Sequence, residues 1–350
     1  MSRKTKSPPR LNRFWRALRW LFLFALAAVL AAGWFLHGEY RRFAVTELAI
    51  QGKERVLEVK RGDSFDHVLK RLRRLGIREG HDLYWKALAW EEGVVTRLQV
   101  GEYALGHGLT PVQLLEKLEQ GRVIQHRFTV IEGWTFRELR LALAKDEAVE
   151  QTLAGLPDEE VMRRVGGGGE HPEGRFLPET YHYTKGISDL DLLKRSYLAS
   201  RNALATEWEK RANDLPLKTP YEALILASII ERETGVARER AEIAGVFARR
   251  LRLGMKLQTD PTVIYGLGTN FDGNLTRRHL EDATPYNTYA IFGLPPTPIA
   301  LPGRAAIKAA LHPADGDALY FVARGDGGHV FSATLAEHNR AVARYQLGRP

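Results

Sequence analysis

The chain of 350 residues contains no cysteine. That absence excludes disulfide stapling, thiol nucleophiles, lipid attachment through sulfur, Cys-ligated zinc and iron–sulfur clusters. Also missing are the HExxH, GxSxG, SxxK, GxxxxGK[ST] and GxGxxG patterns. Zinc-metalloprotease, serine-acyltransfer, P-loop and dinucleotide-binding chemistries therefore find no support. The eleven histidines are scattered without ligand spacing, so neither a metal nor a cofactor is expected. Acidic residues are missing from the first 19 positions, and hydrophobic runs of spanning length are missing everywhere but once.

What is present begins with charge. Lys and Arg number 51 against 42 Asp and Glu, a net of +9 that first suggests nucleic acid. Seven of the basic residues are Arg3, Lys4, Lys6, Arg10, Arg13, Arg16 and Arg19. Removing those seven from the 51 leaves 44 against 42, a net of +2 for the rest. The basic character is thus a local signal, and no nucleic-acid partner is expected. The signal precedes an uncharged run from Trp20 to Leu36, followed by His37-Gly38. As a helix, residues 20–38 span ~28 Å, close to a hydrocarbon core of ~30 Å. Trp20 and Trp34-Phe35 stand near its two ends, where amphipathic rings favour the interface. Positive charge ahead of the span keeps the N-terminus cytoplasmic and exports the remainder. A cleaved signal peptide is the competing reading, although the run exceeds its usual apolar length.

Beyond the span, one pattern recurs three times. Val56–Val59, Val100–Leu105 and Phe128–Ile131 read as strands. Each leads through a glycine (Gly62, Gly108, Gly133) to Ser64, Thr110 or Thr135 and then to leucines at helical spacing. Thr110 with Gln113, and Thr135 with Glu138, have capping-box spacing. The strand–turn–helix pattern of the first copies resembles a LysM module, a small glycan-binding fold. Further on, Asp189–Lys210 and Arg238–Leu253 read as helices, and Gly166–Gly169 as a flexible loop. Met255–Gly266 reads as an extended polar-aromatic segment. Asp326-Gly327-Gly328 reads as the turn of a hairpin between Tyr320–Ala323 and His329–Phe331.

The chemistry-bearing candidate is a carboxylate. Tyr221–Ile230 is almost wholly apolar and runs directly into Glu231-Arg232-Glu233-Thr234. Glu231 continues the helical face of Leu224, Ala227 and Ser228, so its carboxyl is desolvated and its proton held more tightly. A plain ion pair of Glu231 with Arg232, Arg238 or a more distant arginine is the alternative. Glu233 points elsewhere and reads as an ion-pair or orienting residue. Gln258, Asp260, Tyr286, Asn287 and Tyr289 lie in loops offering amide, hydroxyl and aromatic surface, which suits a neutral, hydroxyl-rich ligand.

Longer blocks carry a family resemblance. Leu226-Ala227-Ser228-Ile229-Ile230-Glu231-Arg232-Glu233-Thr234, Leu257-Gln258-Thr259-Asp260-Pro261-Thr262-Val263-Ile264-Tyr265-Gly266 and Tyr286-Asn287-Thr288-Tyr289 resemble the YceG-like family of endolytic murein transglycosylases. Gly293-Leu294-Pro295-Pro296, Tyr320-Phe321-Val322-Ala323 and His338-Asn339 do so as well. The resemblance implies an α+β fold class: an N-terminal transmembrane helix, a small LysM-like subdomain and a larger mixed catalytic domain. It implies a cytoplasmic tail at 1–19, a signal anchor at 20–38, a LysM-like glycan-binding part at 45–126 and a catalytic domain at 127–350. The location it implies is the bacterial inner membrane, single-pass, with the catalytic part periplasmic. The partners it implies are peptidoglycan strands, the membrane, and peptidoglycan synthases of the elongation or division machinery.

The same resemblance places the catalytic glutamate on Glu231. It implies cleavage of the MurNAc-β-1,4-GlcNAc bond within nascent strands, leaving 1,6-anhydroMurNAc ends and terminating strand elongation. Glu233 would orient, and Gln258, Asp260, Tyr286, Asn287 and Tyr289 would place the sugar. A hydrolytic muramidase using a second acid such as Glu233 or Asp260 stays open. So does a non-catalytic peptidoglycan-binding scaffold.

Overall fold

The computed structural model describes residues 11–50 and 55–348; the first ten residues of the basic tail lie outside the described residues. The described residues form fourteen α-helices and six short strands, a mixed α+β protein. They divide into two compact units, Met1–Gln125 and His126–Pro350.

In the first unit α1 (Leu11–Val45) is one continuous helix, long and apolar enough to cross a membrane. Residues 14–38 are exposed. The helix outruns the expected 20–38 span. Its last turns bring Phe43 and Ala44 into a core shared with Leu48, Leu57, Trp85 and Tyr103. Phe43 meets Trp85 edge-on at 5.2 Å. β1 (Arg55–Val59) and β2 (Gly101–Leu105) pair antiparallel, from Arg55↔Leu105 to Val59↔Gly101. Leu57 and Val59 alternate with solvent-facing residues, as a half-buried strand requires. Between the strands lie α2 (Phe65–Arg74), α3 (Asp82–Glu91) and α4 (Val94–Arg97), and α5 (Pro111–Gln120) follows β2.

The second unit starts with β3 (His126–Thr129), which pairs antiparallel with β4 (Thr180–Tyr183). Between them come α6 (Phe136–Leu143) and α7 (Asp158–Val165). All three copies of the repeated pattern fold as strand, glycine turn and capped helix. Ser64 N–H donates to His67 Nδ1 at 3.2 Å, Thr110 Oγ1 accepts from Gln113 N at 3.3 Å, and Thr135 Oγ1 accepts from Glu138 N at 3.2 Å. The glycines have φ of 84°, 76° and 80°, values an L side chain rarely adopts. The third copy belongs to the second unit, whereas the first two share a sheet.

The remaining helices are α8 (Asp189–Glu209), α9 (Pro220–Glu233), α10 (Arg240–Arg252), α11 (Asp260–Leu267), α12 (Arg277–Glu281), α13 (Arg304–Leu311) and α14 (Leu335–Tyr345). β5 (Tyr320–Ala323) and β6 (His329–Ser332) form the hairpin around Asp326-Gly327. α9 is the axis of this unit. Thr219 caps it, Pro220 occupies its first turn, and the eight residues Ala223–Ile230 are all buried. Each such leucine or isoleucine contributes about 1.5–3 kcal/mol by leaving water. α8, α10, α11 and α13 pack around it.

One expected element differs. Met255–Gly266 is not extended throughout, because Asp260–Leu267 is helical. Thr259 is in the extended N-cap conformation, and Pro261 sits in the first turn, where its fixed φ favours a helix start.

Candidate active site

α9 ends where its buried sequence meets charge. Glu231 stands one turn beyond Ser228, whose hydroxyl donates to Ile225 O at 2.7 Å and accepts from Ile299 N at 3.0 Å. That second bond ties the 299–303 loop to the helix, and Gly303 N then donates to Glu231 Oε2 at 2.8 Å. The other oxygen, Oε1, accepts from Arg240 Nη2 at 3.3 Å. The Glu231 side chain is only 4% exposed. Burial raises its pKa above the ordinary carboxyl value; the charge of Glu132 adds to this, while the Gly303 amide and Arg240 pull the other way. The expected desolvation and the alternative pairing with a distant arginine are therefore both present.

Arg240 Nη2 also donates to Glu132 Oε2 at 3.4 Å. Glu132 lies just after β3, in the turn of the third repeat. Neighbouring Arg232 reaches Gly133 O at 3.1 Å, and Gly133 N donates to Leu301 O at 3.0 Å. The three segments 131–134, 231–240 and 299–303 thus converge on one carboxyl.

Glu233, expected as an ion-pair or orienting residue, is bonded to a neutral group. Its partner is the Thr259 hydroxyl, which donates to Oε1. Burial pushes its pKa up to about 7, opposed by Thr259 and His329 and reinforced by Asp260. Around it, Tyr289 donates its hydroxyl to Asp260 Oδ1 at 2.6 Å. Gln258 takes the left-handed region, with φ of 53°, and its Oε1 accepts from Arg250 Nη1 at 3.1 Å. Arg250 is itself buried, donating to Leu319 O, Lys256 O and Leu257 O, with Tyr320 lying 5.0 Å from its guanidinium. Such an arginine fixes the backbone before Thr259 more firmly than any single bond.

Asn287 is fully buried, and its amide donates to His279 O, Leu280 O and Asp282 O while its oxygen accepts from Tyr289 N. It shapes the loop that carries its two tyrosine neighbours and presents no free polar atom. Tyr286 stands apart from Asp260 and Tyr289. Its hydroxyl bonds Thr297 at 2.8 Å, and its ring meets Tyr265 edge-on at 5.0 Å.

Tyr286 alone of the expected sugar-placing residues lines a cavity of about 1000 Å³, together with Arg232, Tyr265, His171 and Glu173. Glu173 accepts from Phe136 N at 2.9 Å and from the Tyr265 hydroxyl at 3.2 Å. Burial pushes its pKa up to about 7. The sequence assigns neither Glu173 nor Arg250 a site role; their roles here depend on bonds to Phe136, Tyr265, Leu319 and Gln258, which are distant or unpatterned in the chain. A second acid, Glu239, is held below the ordinary value although burial opposes this, because His329 donates through both its backbone N and its ring.

The second unit is thus an all-round-buried helix ending in acids, one of them cradled by an amide and a guanidinium. Residues 57–344 match the YceG-like family, and the chain belongs to that family. The endolytic murein transglycosylase of Bacillus subtilis is 33% identical over 264 residues, covering 71% of this chain and 73% of its own length. That of Streptococcus pneumoniae is 27% identical over 361 residues, covering 93% of this chain and 64% of its own. A crystal structure of a yceG-like protein from Listeria monocytogenes superposes with a TM-score of 0.50 at 28% identity, covering 82% of this chain and 99% of that one.

Proposed function

We propose that this protein is an endolytic murein transglycosylase, a lyase that cuts peptidoglycan strands internally, with Glu231 as its general acid and then base. The names of its relatives support the reaction, and the buried, proton-retaining carboxyl at the end of α9 supports the residue. In this reading Glu231 donates its proton to the glycosidic oxygen as the MurNAc C1–O bond breaks. The C6 hydroxyl of the same MurNAc closes onto C1, and its proton returns to Glu231. No water is consumed, and one carboxyl serves both steps, because the nucleophile belongs to the substrate and attacks intramolecularly. The Gly303 amide and Arg240 stabilise the intermediate carboxylate.

Tyr286, Tyr289, Asp260 and Gln258 are proposed to flank the sugar. Asn287 supports the loop behind them, and Glu233 orients through Thr259. The first unit, with its two-stranded antiparallel sheet and intervening helices, is read as the LysM-like glycan-binding part over 45–126, and 127–350 as the catalytic domain. α1 is read as a single-pass anchor in the inner membrane that holds the enzyme on the periplasmic side. There it would end nascent strands beside the synthases that extend them.

The test is the full-length Glu231→Gln variant in detergent, acting on purified glycan strands. A general acid–base residue is worth ~10²–10⁴-fold, and a loss of that size is expected. Mass spectrometry of wild-type products should show anhydro ends. Reducing ends carrying added water would instead establish a hydrolase, and wild-type rates in the variant would remove Glu231 from the mechanism.

A further inference from the structure

Arg240 is a single cation placed between two carboxylates. Its Nη2 lies 3.3 Å from Glu231 Oε1 and 3.4 Å from Glu132 Oε2. With both acids ionised the trio carries −1; with one proton aboard it is neutral, which is the favoured state where water is scarce. The two acids are not equivalent. Glu231 has a side chain 4% exposed, Glu132 one 48% exposed. Desolvation therefore raises the proton affinity of Glu231, the more buried of the two.

Glu132 is placed by a missing side chain. A Cβ at Gly303 would lie 2.0 Å from Glu132 Oε1, so the acid occupies the space the glycine leaves. The same glycine donates its N–H to Glu231. Its φ of −73° is open to any residue, so what glycine provides here is room for the Glu132 side chain rather than a special backbone conformation. The other charged groups nearby are turned away. Arg232 bonds Gly133 O, Glu233 bonds Thr259, and Arg304 faces Glu179 at 3.7 Å.

We propose that Glu132 is a positioning residue that competes with Glu231 for Arg240 and thereby keeps the working proton on Glu231. The inference rests on the reading of Glu231 as the general acid. When Glu231 gives up its proton, Arg240 is adjacent and can shift its charge toward the new carboxylate without moving to another site. The cluster then serves the acid form before bond cleavage and the base form after it.

The experiment is the pH profile of strand cleavage by the full-length enzyme, wild type against Glu132→Gln and Gly303→Ala. Removing the Glu132 charge releases Arg240 to Glu231, which lowers the pKa of the essential acid. The alkaline limb of kcat/KM should move down by about one pH unit in Glu132→Gln. Gly303→Ala should shift the same limb in the same direction by displacing Glu132, and Glu132→Asp should restore part of the wild-type profile. A purely structural role would lower the rate at every pH and leave the limb in place. An unmoved or upward-moved limb in Glu132→Gln, with Glu231→Gln inactive, overturns this proposal alone. Activity retained in Glu231→Gln overturns the reading beneath it.

Discussion

Thr259 donates its hydroxyl to Glu233, although it stands at the N-cap of α11, where a threonine hydroxyl ordinarily accepts a helix N–H. Pro261 presets the first turn and has no N–H to cap, and the N–H of Thr259 itself donates to Thr288 Oγ1 at 3.0 Å. The hydroxyl so released is the polar partner that lets a carboxyl sit inside this unit.

Glu233 and Glu173 both titrate at about 7 in the fold, against 4.5 for an unperturbed glutamate. Between those values each of these two groups binds more protons in the folded chain than in the unfolded one, whereas burial of His171 and His338 lowers their pKa and acts in the opposite sense. The stability that Glu233 and Glu173 contribute therefore falls as pH rises from 4.5 to about 7, by up to about 1.4 kcal/mol per unit and per group, and levels off above. Urea midpoints measured from pH 4.5 to 8 should follow this course. The Glu173→Gln, Glu233→Gln double variant should show a flatter curve, and an unchanged slope would count against the buried acids.

Ser228 connects stability to the site. Ser228→Ala leaves the buried Ile299 N–H without its acceptor, a cost of about 1–3 kcal/mol in unfolding free energy. The same change frees the loop that delivers the Gly303 amide to Glu231, so strand cleavage should slow, though less than in Glu231→Gln. Denaturant melts and turnover on the same preparation check both; a variant as stable as wild type would show that the loop is held by other contacts.

A chain without cysteine makes its own topology measurable. Ser2→Cys and Leu253→Cys each create a single thiol, the second at a residue 63% exposed. In spheroplasts a membrane-impermeant maleimide should label position 253 at once and position 2 only after lysis. The opposite pattern would reverse the proposed orientation of α1.

The sequence exposed Glu231 because an unbroken apolar helix leads into it, and exposed the three capped helices because glycine, Ser or Thr, and leucine spacing are local signals. It exposed α1 for the same reason, but not its final turns, since Phe43 and Ala44 look like any apolar pair until Trp85 and Tyr103 are brought beside them. Arg240 and Glu132 are separated by more than a hundred residues and share no periodicity, so their meeting is a product of the fold alone. Asn287 shows the opposite limit. Its neighbours identify the loop, but only the observed carbonyl partners reveal that its amide is spent inside it.

The repeated turn has a consequence for how this chain can be lengthened. A Cβ added at Gly62 or Gly108 would meet nothing within 4 Å, whereas one at Gly133 would lie 3.6 Å from Arg232 Cδ. The first two turns have room for a side chain but not for a change of path: Asp63 beside Gly62 pairs with Arg71, and Leu109 beside Gly108 accepts from Leu48 N at 2.9 Å. The third is no freer: its backbone is held by Leu301 and Arg232, and an added residue there would carry Glu132 away from its cation. One local design thus supplies two turns that close on their own unit's framework and one that is packed against the candidate site.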